Sequence, residues 1–405
     1  MATCDHGAAL DRRVEARMRF FCAIAAMLVS AASASPPGAV ITPNPLVSVG
    51  RPVYSNFSTG LSNINDGVFG TWMEGDPEHS HAWYAWGISP TNPAWVAINV
   101  GAGYGKLLVQ SDTSCVGSHS PFDYLIQTSA DSTDGADGIW TTAVAFAGER
   151  ALSFPFPPRC ARNHVIGFTG QRWVRVSITS ATHAPSDRHT GVVIDELSCF
   201  DASNDTPDDW FFVGDSISAE AYGHCSASTF CSEIHSMYAA YTPCQVNGGI
   251  PGSGTYHWNQ IIENYLALYP DAKYWLIMLG TNDSNSTDPA KYQQGMQSLI
   301  DRIKAAGHTP IIAKIPYNFR TNGYPVAVIR QFNAAIDGLN SRNGLMPGPD
   351  FFTYFQSHPE MFRDGVHPNR EGAAAYCKLW AQAVAPLYRA GGTGVSPATP
   401  LPRPY

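Results

Sequence analysis

The chain has 405 residues, of which 44% are hydrophobic and 14% charged, with a formal net charge of −8 at pH 7. That length accommodates two or three domains of roughly 150 residues each. No cluster of Lys and Arg could track a phosphate backbone, so nucleic acid is not an expected partner. The 36 Gly and 30 Pro point to many short elements joined by tight turns.

In chain order, the amino-terminal segment comes first and reads as an export signal. Arg12, Arg13, Arg17 and Arg19 precede the apolar run FFCAIAAMLVSAASA, which closes on Ala32-Ser33-Ala34. A basic region, a short apolar region and an A-x-A site predict a signal peptide over residues 1–34, cut after Ala34. Met18 is an alternative start, because MRFFCAIAAMLVSAASA already forms a complete signal. The run falls short of the roughly 20 apolar residues that span a bilayer. No cysteine follows the cut to carry a lipid. The expectation is a secreted or periplasmic protein without a membrane span.

Cleavage removes Cys4 and Cys22 and leaves Cys115, Cys160, Cys199, Cys225, Cys231, Cys244 and Cys377. Cys377 lies on the helical stripe Ala373, Cys377, Trp380, Val384 and Leu387, and is expected to be a buried free thiol. One disulfide is expected within the group Cys225, Cys231 and Cys244, and another within Cys115, Cys160 and Cys199. Connectivity cannot be read from spacing. No Cys-x-x-Cys pair suggests zinc.

Residues 40–200 alternate apolar and polar side chains in short runs. Examples are Trp95–Gly101, Lys106–Ser111, Tyr124–Asp131, His164–Gly170, Arg172–Thr179 and Val192–Phe200. Period-two strands at this density predict an antiparallel, jelly-roll-type sandwich. The pieces Asp66-Gly67, Trp95 to Gly101, Tyr124 to Asp131 with Trp140, Arg172 to Val176, and Glu196 occur in an order similar to discoidin-type galactose-binding sandwiches. That resemblance implies a carbohydrate-binding or domain-packing role, with Asp66 and Glu196 as candidate ligands for a structural Ca²⁺. Read without it, Asp66 is a turn residue and Glu196 an edge-strand charge. Aromatics in Thr71–Gly87 are candidates for stacking on sugars or for filling the core. The polar stretch Asp201–Asp209 reads as a linker.

Residues 210–390 switch to strands alternating with helices. Trp210-Phe211-Phe212-Val213 is a buried strand that stops at Gly214-Asp215, with Ser216 opening a helix. Cys244–Ile250, Lys273–Gly280 and Thr309–Pro316 follow as strands; His257–Tyr269, Pro289–Ala306 and Val326–Leu339 follow as helices. This alternation predicts a three-layer α/β domain around a parallel sheet. A serine just beyond such a strand stands where open α/β sheets place their crevices. The helix N-terminus after it favours a developing anion.

Four polar blocks punctuate this part: Gly214-Asp215-Ser216-Ile217, Asn247 to Gly252, Gly280-Thr281-Asn282-Asp283, and Asp364-Gly365-Val366-His367-Pro368. In that order they resemble the blocks of the SGNH (GDSL-like) hydrolase family, over about Trp210 to Tyr388. The resemblance implies a flavodoxin-like sheet with Ser216 as nucleophile, His367 as base and Asp364 as the carboxylate that orients it. It also implies an oxyanion hole from the N–H groups of Ser216 and Gly249 and the Asn282 amide. Ile217 stands where the family motif has leucine. Gly248 replaces a larger residue, which is expected to widen the pocket. Asp215 and Asp283 read as turn residues, and Tyr256, His257 and Trp258 as candidates for pocket or core. The sequons at Asn282 and Asn285 read as chance matches, since modification of the first would disable the site.

The combined expectation is a secreted serine esterase needing no metal or organic cofactor. Its expected partner is an acylated polysaccharide losing acetyl or other short acyl groups, an inference from domain company. A lipase or aryl-esterase is one alternative, disfavoured because no amphipathic lid segment is evident. A non-catalytic carbohydrate-binding adhesin is another, disfavoured by the intact Ser, Asp and His set. The tail 391–405, rich in Gly and Pro, reads as disordered. Oligomeric state is not legible.

Overall fold

Alternating side chains in the first part of the chain sort between one shared core and the outside. In a computed structural model of the protein, the residues described are 41–67, 82–112, 119–148, 162–183, 187–204, 208–223, 229–286, 288–320 and 323–388. The expected signal peptide, the tail 391–405, Cys115, Cys160, Cys225 and most of Thr71–Gly87 lie outside them. Eleven strands are described here: β1 (Val53–Ser55), β2 (Trp83–Trp86), β3 (Ala94–Asn99), β4 (Lys106–Asp112), β5 (Pro121–Ser129), β6 (Thr141–Phe146), β7 (Arg162–Gly167), β8 (Trp173–His183), β9 (Asp187–His189), β10 (Gly191–Ile194) and β11 (Glu196–Asp201). They pair antiparallel in three sheets, β1-β3-β8-β5-β6 with β9 on β8, then β10-β2, then β11-β4-β7. Val96, Ile126 and Val176 of the first sheet meet Trp83 and Ile194 of the second and Val109 of the third in a single core.

Val192–Phe200, which reads as one strand, is two. It breaks at Asp195, so β10 pairs with β2 while β11 pairs with β4. Val192, Val193, Ile194 and Leu197 are all fully buried, so the pattern of apolar residues carries no mark of the switch between sheets.

The second part runs β12 (Asp209–Gly214), α1 (Ser216–Gly223), α2 (Phe230–Met237), β13 (Cys244–Gly249), α3 (Thr255–Leu268), β14 (Tyr274–Met278), α4 (Pro289–Ala305), β15 (Thr309–Lys314), α5 (Val326–Asn343), β16 (Pro347–Asp350), α6 (Phe351–Gln356) and α7 (Arg370–Val384). Its five strands are parallel in the order β13-β12-β14-β15-β16. The first strand therefore lies between the second and third, which is flavodoxin-like winding with its crevice at the reversal. Phe211 and Val213 pack with Trp258, Met296 and Ile300 on one face, while Trp210 and Phe212 pack with Phe230, Tyr376 and Trp380 on the other. One strand thus feeds two cores, and three layers result.

All the described residues belong to one compact unit, Ala39–Tyr405, and a buried polar joint ties the sandwich to the sheet. Gln110 Nε2 donates to the Gln245 carbonyl at 3.0 Å, Asn163 Nδ2 to Asp209 Oδ1 at 3.0 Å, and Arg162 Nη1 to the Tyr269 hydroxyl at 3.1 Å. Leu108, Phe200, Ala202 and Cys244 form an apolar cluster of their own, shared by both parts. Asp208 and Asp209, which end the polar stretch read as a linker, are fully buried. Burial pushes both carboxyls up to about 7. Asp208 Oδ1 accepts from Trp210 Nε1 at 2.6 Å and from the Tyr388 hydroxyl at 2.8 Å.

Cys199, Cys231, Cys244 and Cys377 are buried thiols. Cys377 is as expected, but the disulfide expected within Cys225, Cys231 and Cys244 is not formed. Two of its three candidates are held in the packing of separate elements, and Cys244 Sγ accepts from Asn163 Nδ2 at 3.3 Å inside the joint. With Cys199 also a thiol, any bridge in the other group is left to Cys115 and Cys160.

Candidate active site

Gly214 at the end of β12 pairs with Gly249 on β13 and Met278 on β14. Three strand ends stand side by side, so the loops leaving them are neighbours. Ser216 opens α1, and its N–H is one of the donors a helix N-terminus leaves without an intrahelical partner. Asp215 fixes the turn by accepting the Ile217 N–H at 2.9 Å. Its carboxyl is fully enclosed, and burial pushes it up to about 7.

His367 comes from the loop before α7. Its Nε2 lies 2.9 Å from Ser216 Oγ, and its Nδ1 lies 2.8 Å from Asp364 Oδ2. A carboxylate at Nδ1 puts the ring hydrogen there and leaves Nε2 to accept from the serine hydroxyl. Asp364 Oδ1 accepts the backbone N–H groups of Val366 at 3.0 Å and His367 at 2.8 Å. Partial burial works to raise this carboxyl, but those donors and the imidazole outweigh it and hold it well below the usual carboxylate range. Arg363 fastens the loop to α1, with Nη2 on Glu220 Oε2 at 2.9 Å and its N–H on the His367 carbonyl at 2.9 Å. Arg320 Nη2 reaches Asp364 Oδ2 at 2.9 Å. Neither arginine is visible to sequence reasoning, because a lone cation in a polar loop has no spacing signal.

Of the groups expected to form an oxyanion hole, one has its N–H already engaged. Asn282 Nδ2 donates to the Ser253 carbonyl at 2.8 Å, which aims the amide and leaves its second hydrogen for another acceptor. The Gly249 N–H is taken by Asn247 Oδ1 at 2.9 Å. A Cβ on Gly249 would lie 2.3 Å from the Ala219 nitrogen, so this glycine lets α1 lie against β13. Gly252, three residues on, has φ +76°, with no atom within 4 Å of where a Cβ would stand. Its N–H makes no hydrogen bond among the described residues. Gly248 does not widen a pocket either: a Cβ there would meet the Phe211 ring at 2.5 Å.

A cleft of about 680 Å³ begins at Gly252 and Asn282 and runs past Thr255 and Tyr256 to Lys291, Gln294 and Ser298 of α4. Ser216 and His367 do not line it, whereas Gly252 and Asn282 do. Tyr256 is 71% exposed at its rim, whereas Trp258 is core, its Nε1 donating to the Gly214 carbonyl at 3.0 Å. His257 Nδ1 accepts the Gly254 N–H at 3.2 Å and caps α3, and Asp283 accepts the Thr255 N–H at 3.0 Å. Asn285 is engaged as well, its Oδ1 accepting the Tyr324 N–H.

In the sandwich, Gly67 N–H donates to Glu196 Oε2 at 3.3 Å, so the Asp66 loop and Glu196 are neighbours. Glu196 opens the edge strand β11, as its plain reading has it, but is fully buried. Two carboxylates alone do not supply the six to eight oxygens Ca²⁺ takes. Among the described residues no group of three or more His, Cys, Asp or Glu side chains is placed to hold a metal. Trp83 fills the core and Trp86 is 48% exposed.

A serine, an imidazole and a carboxylate bonded in series at the carboxyl edge of a flavodoxin-like sheet define a hydrolase-type α/β domain. Residues 212–375 match the model of the GDSL-like lipase/acylhydrolase family, and a domain of this ester-hydrolysing family occupies that part of the chain. Among curated proteins, none matches. Solved structures similar to this chain include the lipase/acylhydrolase from Enterococcus faecalis, at 17% identity and a TM-score of 0.38 over 46% of this chain and 99% of that one. The psychrotrophic esterase EstA from Pseudoalteromonas sp. is similar at 19% identity and a TM-score of 0.38, over 44% and 97% of the two chains. Axe2, an acetylxylan esterase from Geobacillus stearothermophilus, is similar at 16% identity and a TM-score of 0.36, over 45% and 96%.

Proposed function

We propose that this protein is a serine esterase that works through an acyl-enzyme on Ser216. One observation carries the reading: the unbroken series from Ser216 Oγ through His367 to Asp364, at 2.9 and 2.8 Å. His367 Nε2 takes the hydroxyl proton as Oγ attacks the ester carbonyl carbon. The carbonyl oxygen becomes an oxyanion facing the N–H groups of Ser216 and Gly252 and the second hydrogen of Asn282. The imidazolium, stabilised by Asp364, passes its proton to the departing alcohol. Water then gives a proton to His367 and its oxygen to the acyl carbon, and the acid leaves with Ser216 restored. These steps call for no metal or organic cofactor.

Within that chemistry the substrate is an acylated polysaccharide, and the groups removed are acetyl or similarly short. Support comes from the attached sandwich, whose sequence resembles sugar-binding domains, and from hydroxyl and amide side chains such as Thr255, Gln294 and Ser298 along the cleft. An exported enzyme would meet such a polymer outside the cell, and the sequence of residues 1–34 supports export.

Acetate release from a panel of acetylated glycans, beside nitrophenyl esters of increasing chain length, tests the reading. Expected are turnover of the acetyl esters, decline with chain length, and complete loss in Ser216→Ala. Activity that survives this substitution overturns the mechanism. A preference for long chains would move the substrate to lipid-like esters.

A further inference from the structure

We propose that Arg320 is a positioning residue of this site, and that the loop carrying it is a strap joining the acid–base loop to the oxyanion turn. The inference rests on the esterase reading above. Arg320 Nη2 lies 2.9 Å from Asp364 Oδ2, the same oxygen that accepts from His367 Nδ1 at 2.8 Å. The strap leaves β15, and its Phe319 N–H donates to the Gly365 carbonyl at 2.9 Å. Gly365 has φ +83°, and a Cβ there would crowd the Arg320 nitrogen at 3.3 Å. The Arg320 N–H is itself held by Asn318 Oδ1 at 2.7 Å. At the far end, the Tyr324 N–H donates to Asn285 Oδ1, in the short helical turn that follows Asn282. The guanidinium therefore projects from backbone fixed against both halves of the site.

Its position suggests an electrostatic task. Asp364 Oδ1 is held by two backbone N–H groups, and Arg320 Nη2 adds a hold on Oδ2. What the guanidinium changes is charge: it competes for Oδ2, and it repels a proton added to the nearby imidazole. Arg320 thus sets a fixed positive charge on the oxygen that orients the base. The other charged and titratable groups around the ring are Asp364 on its own loop, Asp215 before α1 with Asp283 behind it, and the Arg363–Glu220 pair. Asp215 and Asp283 are both pushed upward by burial, and Glu220 is matched by Arg363 at 2.9 Å. Arg320 is the cation in contact with the oxygen that holds the ring.

The test compares the full chain with its Arg320→Gln and Arg320→Lys variants, using nitrophenyl acetate across the pH range. The pair is partly exposed, so the effect is moderate. Arg320→Gln should move the acid limb of kcat/KM upward by about half a pH unit, an approximately threefold loss on that limb. Arg320→Lys should recover most of it. In a Ser216→Ala background, the nitrogen-15 titration of the His367 ring should move the same way, a reading that needs no turnover. A limb and a ring titration that both stay put in folded Arg320→Gln overturn the proposal. If that variant does not fold, Arg320→Met, which keeps an unbranched stem and removes the charge, takes its place and should raise the limb likewise. An unmoved limb there also overturns it. A parent that hydrolyses no ester would sink the esterase reading instead, and the ring titration alone would then judge Arg320.

Discussion

Asp364 grips His367 at two points, with Oδ2 on the ring Nδ1 and Oδ1 on the backbone N–H, both at 2.8 Å. One carboxylate thus fixes the tautomer and the main chain of the residue it serves. Ring and backbone cannot drift apart without breaking a charge-assisted bond. The three-residue spacing makes this possible, since a tight turn returns the carboxylate over its own loop.

Replacing Asp364 by Asn keeps the shape and alters the tautomer. An amide NH₂ facing Nδ1 favours the ring form whose Nε2 carries the hydrogen and cannot accept from Ser216. Asp364→Asn should lower kcat on nitrophenyl acetate by on the order of 10²–10⁴-fold, with a modest fall in melting temperature at neutral pH as the charge-assisted bonds to this carboxylate weaken. A variant within tenfold of the parent would show that the carboxylate is not needed.

Asn282→Ala removes a donor from the oxyanion side while leaving the nucleophile and base in place. It should cost about 10²–10³-fold in kcat, with a much smaller change in KM. Steady-state kinetics on a soluble acetyl ester will read the split.

Gly249 and Gly252 should respond to the same substitution in opposite ways. Gly249→Ala drives a methyl to 2.3 Å from the backbone of α1, so the helix that presents Ser216 must shift. Loss of both melting temperature and activity is expected. Gly252→Ala meets no neighbour within 4 Å and strains only its φ of +76°, at roughly 1 kcal/mol. It should stay folded, with activity reduced by misplacement of its N–H. Circular dichroism melts beside kcat measurements separate the two.

The buried carboxyls set a stability profile with a definite sign. Asp208, Asp209 and Asp215 are each pushed up to about 7 by burial, while unfolded carboxylates titrate near 4. Between these values the folded protein binds more protons than the unfolded chain, so this contribution is complete below pH ~4 and lost as pH rises through about 7. Melting temperature should therefore be higher near pH 5 than near pH 8. Asp208→Asn and Asp209→Asn should each flatten that slope. Asp364 acts oppositely: its contribution exists above pH ~4 and fades as acid approaches its depressed value. A slope unchanged by either Asn variant would refute the assignment.

Much of this architecture was legible because strand ends leave a compact signature. An apolar run halted by Gly-Asp-Ser or Gly-Thr-Asn places a polar residue at the sheet edge, and the four blocks named Ser216, Asn282, Asp364 and His367 before any coordinate. The failures have physical causes. Gly249 and Gly252 lie within one turn sequence, and nothing in composition tells which N–H a side chain such as Asn247 will consume. The polar letters of Asp208-Asp209 suggested solvent, but Tyr388 and Asn163 arrive from far along the chain to bond them, beside the neighbouring Trp210. β16 and α6, PGPDFFTYFQ, follow no clear period, and β16 takes its place at the sheet edge by pairing with β15.

The joint of Asn163, Asp209 and Cys244 bears on how the gene can be cut. A fragment starting at β12 would present a carboxylate, a thiol and a bare strand beginning where the missing half once finished them. The hydrolase half is therefore no detachable cassette. Engineering that swaps the sandwich for another binding module must supply a replacement for Asn163, or expect a truncated enzyme that clumps.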